Sequence, residues 1–409
     1  MRGYVGVFAL AVSLGLVGLS GCGRGGGAGQ NLSSEARRLV AGNNAFAFEL
    51  YGQLKGTSQN LCFSPYSISE CLAMGYAGAR GNTEKQMRQV LRFETNGVHP
   101  AFGELQRQLK QATTRRGIEL NLANGVWAKK SQPLLPAFTN ILRQDYDAEA
   151  RQVDFAMQAG PVTKQINDWV SAMTKGKLEG VLPSGLLNQD SRLVLVNAIY
   201  FKGTWKTKFK PELTRQQDFQ VETNRWIKCP MMVSNGKFRS YRHDGAPPSF
   251  DILELPYAGK DFSFVAILPG AFEWLDELES KLNDKTLTEW LKSLQEGVVS
   301  VVLPKFRLKT EFSLDGTLSA MGMPDAFDYN ADFSGIDGTT LGYISLLRHG
   351  AFAEVDEEGT TAAAATVSHH RTKSATPCFQ ADHPFLFLIR DNRSGSILFL
   401  GRVSNPTAA

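Results

Sequence analysis

The residues with the clearest chemical character form one stretch near the carboxyl end of the chain. Residues 354–358 (Glu-Val-Asp-Glu-Glu) are mostly acidic, Gly359 follows, and the next seven residues are all Thr or Ala. Polar and basic residues follow at 369–374 (His-His-Arg-Thr-Lys-Ser). Taken alone, the stretch permits a flexible linker or an alanine-rich helix, since Ala has the highest helix propensity. Its succession of acidic, small and basic residues is not typical of a core element.

Motifs for enzyme catalysis are absent from the sequence. GxSxG, HExxH, a Walker A loop and Ser-x-x-Lys with its partner motifs do not occur. None of the six histidines has ligand spacing to a second His or to a carboxylate cluster, and we interpret His369-His370 as a polar loop pair. We therefore expect no enzyme activity, no cofactor and no metal.

The amino terminus has the composition of an export signal. Arg2 precedes an uncharged apolar stretch over 4–19, which indicates a signal peptide over 1–21. Because Leu19-Ser20-Gly21-Cys22 resembles the bacterial lipobox, we expect cleavage before Cys22, a lipid on its thiol and a Gly-rich tether over 22–33. The alternative is a spanning anchor, since about 20 apolar residues can cross a bilayer. We expect a lipoprotein at the outer membrane or cell surface, or a periplasmic or extracellular protein.

Composition and charge describe an ordinary folded protein. The chain of 409 residues is 43% apolar with a net charge of +4, which excludes a disordered chain and does not indicate nucleic acid as the main partner. Arg107 and Lys110, with Arg115 and Arg116 beyond them, form a modest basic face. Such a face is usually only solvated, and a polyanion site is the alternative.

The cysteines in the body of the chain give no metal or redox motif. Cys62, Cys71, Cys229 and Cys378 contain no CxxC pair. Buried free thiols are the ordinary interpretation, and a Cys62–Cys71 bridge in an exported protein is the alternative that spacing leaves open.

The elements that must position these residues are a mixture of helices and strands. Helical periodicity predicts helices over 34–55, 68–76, 83–91, 102–112 and 162–174. Runs rich in Val, Ile and Phe predict strands over 193–200, 251–255, 262–268 and 298–303. Since strands occur in runs without regular βαβ alternation, we expect one α+β domain over 34–409.

Several motifs follow one another along the body of the chain. They are 44–51 (Asn-Ala-Phe-Ala-Phe-Glu-Leu-Tyr), Asn60 with 64–68 (Ser-Pro-Tyr-Ser-Ile), 167–170, 174–177, 195–205 (Leu-Val-Asn-Ala-Ile-Tyr-Phe-Lys-Gly-Thr-Trp), 303–306, 331–335, 381–387 and 400–403. In this order the motifs resemble the serpin family of serine protease inhibitors, from about residue 43 to residue 406. The resemblance implies three β-sheets, about nine helices, a monomer and an exposed reactive loop over 357–377.

The resemblance also implies that the loop, once cleaved, inserts into the main sheet as a new strand. The loop hinge consists of Glu357, Glu358, Gly359, Thr360, Thr361, Ala362, Ala363, Ala364, Ala365 and Thr366. Alternate residues of an inserting strand share a face, and from Thr360 to Ser368 every residue on either face is small or β-branched. No charge or Pro would oppose insertion.

The expected energy and distance of insertion are large. If about 12 new hydrogen bonds each contribute roughly 1 kcal/mol, the gain is on the order of 10 kcal/mol, so the uninserted fold is a kinetic trap. Gly359 to Lys373 spans about 50 Å at roughly 3.3 Å per residue. An attached protease would be carried to the far pole, where distortion of its triad would stop hydrolysis of the acyl-enzyme.

Family spacing places the scissile bond at Lys373-Ser374. A Lys there suits a trypsin-like pocket with an acidic base. Arg371-Thr372 is the rival site, because a basic residue two positions earlier also suits that pocket.

Five further residues match family positions where the main sheet opens. They are Ser64, Ser67, Asn197, Trp205 and His349. Ordinary core packing is compatible with the same positions, since a polar cluster that parts for a new strand must be satisfied in both states.

We therefore expect an irreversible suicide-substrate inhibitor of a trypsin-like serine endopeptidase. The alternative is a non-inhibitory serpin that acts as a binding or chaperone module.

Overall fold

The structure, a computed structural model, describes residues 32–56, 59–113, 117–130, 133–245, 247–340, 342–359 and 377–408. The helices found in these ranges are α1 Ser34–Leu54, α2 Pro65–Tyr76, α3 Gly81–Val90, α4 Val98–Thr113, α5 Pro136–Tyr146, α6 Phe155–Met173, α7 Leu275–Lys281, α8 Asp284–Ser293, α9 Asp315–Met321 and α10 Ser334–Asp337. The strands found there are β1 Leu61–Phe63, β2 Ile118–Lys129, β3 Ala150–Val153, β4 Leu193–Gly203, β5 Arg215–Glu222, β6 Arg225–His243, β7 Phe250–Pro256, β8 Phe262–Pro269, β9 Gln295–Pro304, β10 Phe306–Ser313, β11 Ile344–Val355, β12 Cys378–Gln380, β13 Phe385–Asp391 and β14 Ile397–Val403.

The smaller sheet has five strands in the order β10-β11-β4-β2-β3. At its centre β11 and β4 run parallel, with Ile344–Ala353 beside Leu193–Phe201. Helix α6 covers one face of this sheet through Val162, Ile166 and Val170. Because β4 is buried on both faces, it is almost continuously apolar.

The α+β fold expected from the sequence is confirmed, and the sheet count differs for a clear reason. Nine strands form one hydrogen-bonded sheet along β1-β14-β13-β8-β7-β6-β9-β12, with β5 also paired to β6. Strand β6 is 19 residues long. One end of β6 pairs with β7, while a longer part pairs with β9. The second and third sheets of the expected three are therefore continuous through β6.

Helix α2 lies in the core and contacts both sheets through β2, β4 and β14. Every residue from Leu61 to Ala79 is buried, which is the pattern of a helix enclosed on all sides. Ser64 caps the helix by accepting a hydrogen bond from the Ser67 backbone N–H at 3.1 Å, and Pro65 occupies the first helical position, where its missing N–H costs nothing.

The cysteines within the described ranges are free thiols, so the Cys62–Cys71 bridge is absent. Cys62, Cys71 and Cys229 are buried, whereas Cys378 on β12 is exposed. Burial raises the pKa of the Cys62 and Cys71 thiols well above the usual range.

The residues from Leu32 onward form one compact unit. Within the described part of the chain, none of the helices combines the length and apolarity needed to cross a bilayer. The predicted signal peptide, Cys22 and most of the tether lie outside the described residues.

Candidate functional site

The candidate site is the boundary between β4 and β11, which we call the seam. The described chain continues from β11 through Asp356, Glu357 and Glu358 to Gly359, and resumes at Pro377 before β12. The hinge end of the seam is the end at Gly203 of β4 and Val355 of β11. The seam is closed, because the two strands pair directly along almost their whole length.

At the hinge end, Trp205 connects the end of β4 to the chain leaving β11. Its indole Nε1 donates to the Asp356 carbonyl at 2.8 Å, and its backbone N–H donates to the Glu358 carbonyl at 3.4 Å. The ring stacks on Tyr257 with the ring centroids 4.5 Å apart. Trp205 therefore contacts the start of the predicted loop hinge.

The Glu357 carboxylate holds the chain that leaves β11 through two further contacts. Lys305 Nζ lies 2.7 Å from Oε2, and Thr214 Oγ1 donates to Oε1 at 2.8 Å. Burial alone would raise the pKa of Glu357, but the hydrogen bonds from Lys305 and Thr214 outweigh it, and the pKa is lowered. We call Thr214, Lys305, Glu357 and Trp205 the hinge-end cluster.

Gly359 lies where a larger residue would not fit. Its φ is +47°, in the left-handed region that favours glycine. A Cβ at this position would lie 2.4 Å from both the Gly203 carbonyl oxygen and the Trp205 backbone nitrogen. The absence of a side chain lets the chain pass directly over the end of β4.

Midway along the seam, buried polar side chains connect the two strands to α2. Asn197 of β4 and His349 of β11 are register partners, and the His349 Nδ1 and Asn197 Oδ1 atoms are hydrogen-bonded across the seam. Asn197 Nδ2 also donates to the Ser67 carbonyl at 3.0 Å and to the Asn124 side chain of β2. We call Ser64, Ser67, Asn124, Asn197 and His349 the central cluster.

The protonation of His349 follows from its contacts. The Ser64 backbone N–H donates to Nε2 at 3.1 Å, so Nε2 carries no proton and the neutral ring holds its proton on Nδ1, facing Asn197. Complete burial lowers the pKa of His349 from 6.5 to about 3. The hydrogen bond across the seam is therefore made by neutral groups at physiological pH.

The structure brings together all five residues that the sequence analysis assigned to sheet opening, at two places along one seam. Their role in opening stays a prediction. Of the predicted hinge, Glu357, Glu358 and Gly359 are described. The remaining loop residues lie outside the described ranges, and they are Thr360, Thr361, Ala362, Ala363, Ala364, Ala365, Thr366, Arg371, Thr372, Lys373 and Ser374.

Sequence reasoning missed three members of the clusters. Asn124 lies on a strand that the sequence analysis did not predict, while Thr214 and Lys305 are more than 50 residues away from Glu357 along the chain. An available signal was Lys305, which lies in the 303–306 motif and directly follows the apolar end of the segment that became β9.

The predicted basic face carries less free charge than the sequence suggested. Lys110 pairs with Asp147 at 2.7 Å, and Arg107 is close enough to Asp145 to lower the pKa of that carboxyl, although burial raises it more. Arg115 and Arg116 lie outside the described residues. Polyanion binding at this face stays a prediction.

Within the described ranges, no group of three or more His, Cys, Asp or Glu side chains has the geometry to hold a metal ion. The site consists of two paired strands and the side chains that hydrogen-bond across them, and its opening to accept another strand stays a prediction.

Comparison with known proteins gives consistent matches over most of the chain. The family model described as Serpin (serine protease inhibitor) matches residues 41–406. The leukocyte elastase inhibitor of Sus scrofa is 39% identical over 381 residues, covering 90% of this chain and 100% of that protein.

Solved structures match to a similar extent. Uncleaved ovalbumin matches with a TM-score of 0.81 at 30% identity, over 90% of this chain and all of that one. Serpin48 of the insect Tenebrio molitor matches with a TM-score of 0.80 at 31% identity, over 91% of this chain and 99% of that one.

Proposed function

Since the chain belongs to the serpin family of serine protease inhibitors, we propose that it irreversibly inhibits a trypsin-like serine endopeptidase by inserting its cleaved loop into the seam. One observation carries the proposal: the predicted loop begins at a closed, parallel strand pair whose hinge end it already contacts. The loop is attached to β11 at this end and to β12 at the other.

The strand directions favour insertion. A loop that leaves β11 and folds back into the seam runs antiparallel to both β11 and β4. One parallel ladder would be replaced by two antiparallel ladders, and antiparallel pairing is slightly more stable per residue. Insertion would therefore add a second ladder between β4 and β11, which the closed seam lacks.

Target specificity depends on the residue before the cut. We propose Lys373-Ser374 as the reactive bond, with Arg371-Thr372 as the rival, because either basic residue suits a trypsin-like pocket. The relative from Sus scrofa is named for an elastase. A small elastase pocket would reject Lys or Arg, so we expect this chain to differ from that relative in its target.

Incubation with trypsin tests inhibition and the reactive bond together. We expect an SDS-stable complex whose peptide map ends at Lys373. The variant K373A should lose that complex, whereas R371A should retain it; the reverse result would assign the rival bond. If the unmodified protein gave loop-cleaved product and no complex, the result would contradict inhibition and favour the binding-module alternative.

We also propose that the protein is exported and held at a membrane by a lipid on Cys22. The proposal is supported by residues 1–22 alone; the family match begins at residue 41 and does not bear on it. Labelling with a radioactive fatty acid in an expressing cell should mark the protein, and C22S should abolish the label. Equal labelling of C22S would contradict the anchor.

A further inference from the structure

A buried acid lies beside the central cluster and has no role in the mechanism described so far. Glu70 is the only charged residue among 61–79, where every residue is buried, and it is 1% exposed. Its position on α2 is one turn beyond Ser67. A carboxyl group in such surroundings requires hydrogen-bonding partners, since burial of an unpaired charge is costly.

Two donors face the Glu70 carboxyl. Tyr66 Oη donates to Oε1 at 3.0 Å, and Asn124 Nδ2 donates to Oε2. Asn124 presents its other atom, Oδ1, to Ser67 Oγ at 3.3 Å and to Asn197 Nδ2. Glu70 is therefore connected to the seam through a single amide side chain.

The direction of these hydrogen bonds is fixed by groups that cannot exchange roles. The Ser64 N–H only donates, so His349 donates from Nδ1 to Asn197 Oδ1. The Ser67 carbonyl only accepts, which places the Asn197 amino group toward it and toward Asn124 Oδ1. Each donor in the chain from His349 through Asn197 and Asn124 therefore points toward Glu70, which is the final acceptor.

We propose that Glu70 is a positioning residue for seam opening, and that the charge on its carboxyl group makes the rate of loop insertion depend on pH. The inference rests on the proposed function, because it concerns the same insertion step. Glu70 acts through Asn124 and Asn197, the side chains that connect it to the seam.

The surroundings of Glu70 hold few other charges. Burial raises the pKa of Glu70 to about 7, against the lowering effects of Tyr66, of Lys110 on α4 and of Asn124. Among the described residues, the other titratable groups around it are Cys71 on α2, Tyr146 on α5 with its partner His99, and His349 on β11. Burial raises the pKa of Cys71 and Tyr146 and lowers the pKa of both histidines, so these groups are neutral near pH 7.

Protons can reach the site from solvent. A cavity of about 450 Å³ lies beside Asn124 and is also lined by Lys110, Tyr146, Asp147 and Glu149. The Asp147 and Glu149 side chains are mostly exposed. Asn124 thus separates the buried carboxyl from an accessible cavity.

The direction of the pH effect follows from burial. The raised pKa means that the closed state is less stable with Glu70 ionised than with Glu70 protonated. If separation of β4 from β11 loosens Asn124 and lets water reach Glu70, the ionised form gains most. Insertion should therefore accelerate as pH rises through about 7, by about tenfold in all for a one-unit fall in the pKa at the transition state, of which about threefold lies between about pH 6.5 and about pH 8.5.

The test measures insertion of an exogenous strand into the full chain. An acetylated, amidated peptide of residues 359–368 (Gly-Thr-Thr-Ala-Ala-Ala-Ala-Thr-Val-Ser) contains no titratable group. Its insertion rate, followed by native mass spectrometry, should be about threefold higher at about pH 8.5 than at about pH 6.5. E70Q should insert at one rate at both pH values, about threefold below the unmodified protein at about pH 6.5, because its amide can accept from Asn124 and donate to Tyr66 without any charge.

Two more variants keep the test decisive. E149Q removes an exposed carboxyl from the same cavity and should keep the unmodified profile. Y66F removes a donor to the carboxylate, so the midpoint of the profile should move to higher pH. An unchanged pH profile in E70Q, or an unmoved midpoint in Y66F, would overturn the role of Glu70 alone. Failure of every variant to insert the peptide at any pH would overturn the proposed function and this inference with it.

Discussion

The two clusters hold the same pair of strands by different physical means. At the hinge end, Glu357 and Lys305 form an ion pair in which the Lys305 side chain is 38% exposed. Midway along the seam, Asn197 and His349 are fully buried and bond as neutral groups. Solvent screens an exposed ion pair, whereas an unmade hydrogen bond in a dry core costs its full desolvation.

The difference indicates an order of opening. The hinge-end cluster can separate with water replacing its lost contacts, while the central cluster must find new partners as it parts. We expect the hinge end to yield first and the central cluster to set the main barrier. The inserted strand would then supply polar backbone groups to the separated side chains.

The largest expected effect comes from blocking the first inserting residue. T360R would bring a guanidinium to the hinge end, where insertion must bury it at high cost. Nearly all of the protein should then be cleaved as a substrate, measured as the ratio of complex to cleaved product with trypsin. T376R, on the β12 side of the cut, should still inhibit; equal inhibition by T360R would contradict insertion.

Removal of the central hydrogen bond should have the next largest effect. N197A leaves His349 Nδ1 and the Asn124 acceptor without their partner, a loss of about 2 kcal/mol, or roughly thirtyfold in the rate of peptide insertion. The control N43A removes another buried Asn, bonded to Ser69 Oγ at 2.7 Å and away from the seam. A larger acceleration in N43A would show that general destabilisation governs insertion.

Acid should weaken the central cluster through His349. The pKa of this residue is lowered in the closed state, so its stabilising effect is complete above about pH 6.5 and is lost as pH falls toward 3. A proton on Nε2 would oppose the Ser64 N–H. In E70Q, where the opposing titration of Glu70 is removed, spontaneous loss of inhibitory activity should accelerate by up to about tenfold between pH 7 and about pH 5.5. Identical acid acceleration in the double variant E70Q/H349Q would assign the effect to another group.

The smallest expected effect is at the hinge end. E357Q should speed peptide insertion about fivefold, equivalent to about 1 kcal/mol for a partly exposed pair, and this gain should shrink in high salt. E354Q is the matched control, because Glu354 on β11 bonds Arg307 on β10, the strand on the side of β11 away from β4. A salt-independent effect of E357Q, or a larger effect than in N197A, would reverse the proposed order of opening.

Sequence reasoning predicted best those elements in which burial produces a simple pattern of apolar residues. Strand β4 is apolar from Leu193 to Ile199 except for Asn197, because α6 covers one face and α2 the other. Helices α1 to α4 and α6 were predicted to within a few residues, except that α6 begins seven residues earlier. Those seven residues contain the kink at Gln158 and also Pro161, which interrupt the periodicity.

The local sequence pattern does not reveal which strands pair when they lie far apart along the chain. The residues of β11 do not indicate that its parallel neighbour is β4. The residues of β6 do not indicate that this strand passes from one part of the larger sheet to the next. The order of family motifs supplied the seam residues, but not Asn124 or Thr214, and it contained Lys305 in the 303–306 motif without giving it a role. Glu70 had a visible signal, as a lone acid within an otherwise uncharged run of 19 residues.

Cys378 offers a natural way to watch the proposed movement. It is the exposed thiol among the described cysteines, and it lies on β12, next to the carboxyl side of the predicted cut. A fluorescent dye attached there would remain with β12 after cleavage, while a protease carrying a second dye would be drawn away. Energy transfer between the two dyes would first rise on docking and then fall, which converts a strand exchange inside the protein into an optical signal.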